Sequence, residues 1–279
     1  MAVLTAAADE EELARVSAGR LTVLIEEAIA GRGNAMVSLT GGRTPERLYS
    51  LLSDDGHPWR ARIDWPRVHL FWSDERHVPP DHPDSNFGMA YRTLVRHVPV
   101  PSGQVHRMRG EPDASEAARQ YERELRDGFA AAGRSDLTFD VMLLGLGEDA
   151  HIASIFPGSE LLEAWRPMTG RATRAGAGRG VMPHEDIDAA PGFTPRQDRV
   201  AAIWASHLNA WRITMTPAAI LDSRAIVMVA AGAAKANAVR AAVALPLDVT
   251  RWPAQLLREA GDRVEWFVDR AAAPADLPS

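Results

Sequence analysis

Six stretches of this chain each carry a short, near-continuous apolar run, and helix-like segments lie between them. The stretches are "GRGNAMVSLTGG", "RVHLFWSDER", "FDVMLLGLG", "RVAAIWAS", "RAIVMVAAG" and "VEWFVD". A strand with one solvated face alternates apolar and polar residues, whereas a strand buried on both faces reads as a continuous apolar run. Between the runs, residues 9–30 place Leu13, Val16, Leu21, Leu24 and Ile25 at helical spacing. "TPERLYSLL" predicts a helix with Thr44 as N-cap and Pro45 at its first position. "DASEAARQYERELRDGF", a stretch from about His151 and "AAKANAVRAAV" also read as helices. Strands alternating with helices predict an α/β fold in which a mainly parallel, Rossmann-like sheet carries helices on both faces. The expectation is one such domain over 1–279. Residues 163–199, rich in Gly, Arg, Ala and Pro ("TGRATRAGAGRG"), break the pattern and read as a long, mobile surface insertion.

Composition narrows the function classes. The chain has 279 residues, 46% hydrophobic and 24% charged, enough for a substantial core. Its net charge of −6 gives no overall attraction to nucleic acid or an anionic membrane. It has no cysteine, which excludes disulfides and thiolate metal sites. The acidic start "MAVLTAAADEEELARV" is unlike a signal peptide, and no apolar run reaches membrane-spanning length. The expectation is a cytoplasmic protein whose partner is a small molecule, with neither nucleic acid nor membrane involved.

Ligands of open parallel sheets bind beyond the carboxyl ends of the strands, and three strand ends here carry reactive-looking loops. In "SLTGGRTP", Gly41 and Gly42 let backbone N–H groups approach an anion, Arg43 adds charge and Thr44 a hydroxyl, with a helix N-terminus behind them. The alternative is a turn that needs glycine for geometry alone. In "WSDERHVPPDHPDSNFG", Asp74, Glu75 and Arg76 emerge where a strand ends; taken singly, each also reads as part of a solvated charge cluster. His77 and His82 in this loop match no common metal spacing. In "GLGEDAHIASIFPG", Gly145 and Gly147 permit a tight turn, and Glu148 and Asp149 flank His151. Histidine exchanges protons near neutral pH, so His151 is either a catalytic base or a satisfied core residue. Two cations complete the set. Arg212 begins "RITMTPAAIL", and Lys235 falls in the first turn of a helix, where it opposes the helix dipole unless an anion sits nearby.

In order, "SLTGGRTPERLY", "FWSDERHVPPDHPDSNFG", "MLLGLGEDAHIASIFPGS", "RITMT" and "VAAGAAKANAV" resemble the 6-phosphogluconolactonases, within the glucosamine/galactosamine-6-phosphate isomerase superfamily, over about residues 10–270. The resemblance implies hydrolysis of 6-phospho-D-glucono-1,5-lactone without a cofactor or metal. His151 is then the base that activates water. The loop Gly41–Thr44 holds the substrate phosphate with Arg212 and Lys235, and Arg76 lies close to the substrate. Either Asp74 or Asp149 orients the imidazole. Related glucosamine-6-phosphate deaminases read "MDEY" and "HIAFNEP" where this chain has "SDER" and "HIASIFP". A deaminase or isomerase is therefore the alternative enzyme, and a sugar-phosphate sensor the non-enzymatic one. Two departures stand out. Ala150 occupies a position where the family usually has glycine, and "SHLNAW" replaces the usual proline-rich approach to "RIT".

Overall fold

The computed structural model describes residues 3–165 and 198–274. In chain order the elements are β1 (Val3–Ala7), α1 (Glu10–Arg32), β2 (Ala35–Leu39), α2 (Arg43–Ser53), α3 (Pro58–Arg62), β3 (Val68–Trp72), β4 (Asp74–Arg76) and α4 (Asn86–Thr93). They continue with α5 (Ala114–Ala131), β5 (Val141–Gly145), α6 (Glu160–Ala164), β6 (Val200–Ala205), β7 (Ala210–Met215), α7 (Pro217–Leu221), β8 (Ala225–Ala230), α8 (Ala236–Val243) and β9 (Val264–Asp269). Six strands form a parallel sheet in the order β1-β9-β8-β5-β2-β3. Every residue of β2 and β3 is buried, as continuous apolar runs require. Helices flank the sheet. α1 is capped by Asp9, whose carboxylate accepts from the Glu12 N–H at 2.8 Å, and it ends at Gly33 in the left-handed region (φ 83°).

A second sheet departs from the sequence expectation. "RVHLFWSDER" is not one strand: the chain leaves the parallel sheet at Ser73, and Asp74–Arg76 pairs antiparallel with β7. "RVAAIWAS" forms β6, which pairs antiparallel with β7 and not with the main sheet. α5 packs on β6 and β7, and one continuous core cluster runs through both sheets.

The helix expected from about His151 does not form either. Ala150 (φ 64°) and Ala153 (φ 48°) adopt left-handed conformations that interrupt a helix, and the next helix starts at Glu160. α2 begins one residue before the expected N-cap: Gly42 is the cap, with φ 107°, a conformation Thr44 could not adopt without strain. The insertion expected at 163–199 lies mostly outside the described residues.

The lower edge of the parallel sheet is fixed by a buried carboxylate. Asp140, just before β5, accepts from Arg32 Nε (2.6 Å), Arg134 Nη1 (2.9 Å) and the Met36 N–H (2.8 Å). This network lies at the amino ends of β2 and β5, away from the loops described next.

Candidate active site

After β2 the chain runs outward to β3, then returns past β2 to β5 and continues outward through β8 and β9. The direction therefore reverses between β2 and β5, where open parallel sheets form their ligand crevice. The glycine loop leaves the carboxyl end of β2, and the His151 loop leaves that of β5.

Thr40 anchors the glycine loop: its N–H donates to the Tyr49 hydroxyl (2.9 Å), which donates back to the Thr40 carbonyl (2.8 Å). Gly41 has no space for a side chain, because a Cβ there would lie 1.8 Å from Asn86 Oδ1. Gly42 has no side chain to cap α2, so the first-turn N–H groups receive no N-cap side-chain bond. Thr44 sits at the second helical position, half-buried. Arg43 is directed elsewhere. It pairs with Glu10 of α1 at 3.5 Å and its side chain is 82% exposed, so this expected phosphate ligand is not held at the loop.

The His151 loop is compact. The Gly147 N–H donates to the His151 carbonyl (2.9 Å), and the Ala150 N–H to the Gly147 carbonyl (3.0 Å). A Cβ on Gly147 would fall 2.0 Å from His151 Nδ1, so glycine is required for the imidazole to lie where it does. His151 Nδ1–H donates to Asp149 Oδ1 at 2.6 Å, leaving Nε2 as the acceptor nitrogen. The same carboxylate accepts from the His151 N–H at 3.1 Å. Burial would raise the Asp149 carboxyl, but the imidazole's hydrogen bond and charge outweigh it and bring its pKa down to about 2. The ring also packs on Phe156, at 4.6 Å between centroids, and Phe156 meets His207 at the β6–β7 hairpin tip. His151 is only partly buried, unlike a core histidine.

The acidic pair after β3 is not a solvated cluster. Asp74 and Glu75 are 6% and 1% exposed. Glu75 accepts from the N–H groups of Arg76, Asn86 and Phe87 at 2.7–2.8 Å and from the Ser85 hydroxyl at 3.0 Å. It thereby holds the start of α4. Burial pushes its pKa up and these hydrogen bonds oppose the shift. Asp74 forms no hydrogen bond or ion pair with the imidazole among the described residues. Its carboxylate accepts from Ser154 Oγ at 2.7 Å and from Asn86 Nδ2 at 3.2 Å. Of the two carboxylates that the sequence leaves open, Asp149 is the one bonded to His151.

Arg76 and Arg212 face each other directly across β4 and β7. Opposed like charges destabilise a strand pair, and neither guanidinium forms an ion pair among the described residues. Arg76 donates to the Asp84 carbonyl and Arg212 to that of Trp211. Burial and the neighbouring Arg76 charge lower the pKa of Arg212, opposed by Asp74, Asp84 and Glu75. Lys235 ends a short turn beyond β8 and caps α8, at the same carboxyl edge of the sheet. Ser154, Asn86, Thr214 and Phe156 were not singled out by sequence reasoning. The one available signal was a serine inside "HIASIF", since a polar residue in a buried apolar run must find a partner.

A family model described as glucosamine-6-phosphate isomerases/6-phosphogluconolactonase matches residues 8–177 and 188–266. The chain belongs to this family. A 6-phosphogluconolactonase of Mycobacterium tuberculosis is 36% identical over 279 residues, covering 97% of this chain and 96% of the relative. The solved structure of the Thermotoga maritima 6-phosphogluconolactonase is 25% identical, covers 97% of this chain and 100% of its own, and superposes with a TM-score of 0.71. A monomeric glucosamine-6-phosphate deaminase superposes equally well, also at 0.71, with 20% identity and coverage of 97% and 98%. The fold is thus common to both activities, and site chemistry has to separate them.

Proposed function

We propose that this family member is a 6-phosphogluconolactonase. It hydrolyses 6-phospho-D-glucono-1,5-lactone to 6-phospho-D-gluconate, with His151 as general base. The observation that carries the proposal is the Asp149–His151 pair on a glycine turn at the crevice, with Nε2 as the open acceptor. His151 Nε2 takes a proton from water while the water oxygen bonds to the lactone carbonyl carbon. The carbonyl π electrons move to oxygen, giving a tetrahedral oxyanion that Arg76 or backbone N–H groups stabilise. The oxyanion re-forms the carbonyl, the bond to the ring oxygen breaks, and the imidazolium returns its proton to that oxygen. Asp149 keeps the ring in one tautomer and stabilises the imidazolium without taking its proton. The α2 N-terminus at Gly41–Thr44 receives the phosphate, with Arg212 and Lys235 supplying charge. The phosphate is remote from C1, so its binding energy orients the reacting end.

The hydrogen-bonding of the carboxylates supports this reading over a deaminase or isomerase, which would need a carboxylate to move protons at C1 and C2. Glu75 is saturated by four donors and Asp74 is bonded to Ser154 and Asn86. The test is acid release from the phosphorylated lactone by purified protein, above the spontaneous rate, beside ammonia release from glucosamine 6-phosphate. Lactone turnover alone is expected; ammonia release alone would replace the proposal with the deaminase.

A further inference from the structure

His151 and the arginine pair sit on separate elements, and their separation must be fixed if one substrate is to meet both. Asp74 and Thr214 are directly opposed across β4 and β7, and Arg76 and Arg212 are the next pair on the same face, two residues along. That step is about 6–7 Å. Ser154, three residues after His151, docks on the first pair. Its hydroxyl donates to Asp74 Oδ2 at 2.7 Å and its N–H to Thr214 Oγ1 at 3.2 Å. The Thr214 hydroxyl donates in turn to the Met215 carbonyl at 3.1 Å, which leaves its oxygen able to accept. Ser154, Thr214 and Asp74 are 1%, 0% and 6% exposed. The second arm of Asp74 reaches Asn86, which lies against Gly41. Left-handed alanines at 150 and 153 precede the docking point, so the loop is held in a conformation that its own residues disfavour.

We infer that Asp74, Thr214 and Ser154 form a positioning clamp that docks the His151 loop, through Ser154, one same-face residue pair from Arg76 and Arg212, while the Asn86 arm sets the glycine loop. The inference rests on the reading of His151 as base. The Asp74 carboxylate acts through other residues and touches no reacting atom. A displacement near 1 Å at a reacting centre can cost about 10²-fold.

The test compares Ser154→Ala, Thr214→Val and Asn86→Ala on the phosphorylated lactone, with thermal midpoints measured alongside. Ser154→Ala and Thr214→Val are expected to lower kcat by ~10- to 100-fold, with KM within about two-fold of wild type because the phosphate loop is untouched. Asn86→Ala is expected to raise KM for the phosphorylated lactone more than it lowers kcat. If Ser154→Ala does not fold, the isosteric Thr214→Val decides. Turnover within about two-fold of wild type in both clamp variants would overturn the inference. So would equal changes of kcat and KM that merely follow the fall in thermal midpoint. An inactive wild type would reject the proposed function and the clamp together. An active His151→Ala would reject the base assignment. An active wild type, an inactive His151→Ala and unaffected clamp variants would reject the clamp alone.

Discussion

Ala150 holds a backbone conformation whose energetic cost can be stated. It is fully buried with φ 64°, and a Cβ in that region costs about 1–2 kcal/mol relative to glycine. Glycine is looser in the unfolded chain, which returns about 0.4–1 kcal/mol of that. Ala150→Gly is therefore expected to stabilise the fold by up to about 1.6 kcal/mol, read as a raised denaturation midpoint, with turnover retained because Gly147 and not residue 150 makes room for the imidazole. A second prediction concerns Asp149, whose folded pKa of about 2 lies below its ordinary value of 3.8. A depressed carboxyl stabilises the fold fully above the unfolded value, and that stability is lost as pH falls through the folded one. The stability gap between wild type and Asp149→Asn is thus expected to close as pH falls between about pH 4 and 2. Denaturant midpoints across that range check it; a gap that widens on acidification would contradict the pairing. The same variant is expected to lose ~10²–10⁴-fold in kcat with little change in KM, since the carboxylate acts on the base and not on the phosphate.

At the scale of elements, five strands of the parallel sheet were readable because burial on both faces writes itself into apolar runs; the edge strand β1, with Thr5 and Ala6 exposed, carries no such run. Helix 9–30 was readable because its apolar residues recur at helical spacing, and it spans Glu10–Arg32. The switch of sheets at Ser73 was not readable. The charged Asp74–Arg76 reads in sequence as the end of a strand, and what makes it a strand of another sheet is pairing with β7, some 140 residues later. The absent helix after His151 has a similar origin. "HIASIF" has no helix breaker, yet alanines 150 and 153 are held left-handed by partners elsewhere, including the bond from Ala254 N–H to the Ala150 carbonyl. Lone carboxylates were the hardest to assign, because a structural and a catalytic aspartate look alike in sequence. Glu75 became the anchor of α4, and Asp74 a link between loops, only once their donors were placed. Asp140 is the clearest structural case. Removing one partner of a buried ionic network costs about 3–5 kcal/mol, so Asp140→Ala is expected to destabilise by roughly that amount while kcat of the folded fraction is unchanged. Chemical denaturation and active-site-normalised turnover separate the two effects.

For the whole molecule, the net charge is −6 and the substrate of the proposed reaction is anionic, so binding depends on a local positive field. Among the described residues Arg76 and Arg212 face each other with no ion pair, and Lys235 follows the carboxyl end of β8 in the parallel sheet. Losing a charge-assisted hydrogen bond costs ~1.5–3 kcal/mol, or ~10- to 150-fold. Arg212→Met and Lys235→Met are each expected to reduce the kcat/KM preference for phosphorylated over plain gluconolactone by that factor. An unchanged preference in both would move the phosphate to another place. The account as a whole turns on one imidazole, and the most direct measurement is turnover of 6-phospho-D-glucono-1,5-lactone by wild type and His151→Ala at saturating substrate, corrected for spontaneous hydrolysis. The expected result is a loss of ~10²–10⁴-fold with thermal midpoint and 6-phosphogluconate affinity preserved; a folded His151→Ala protein that turns over within a few-fold of wild type would contradict the account.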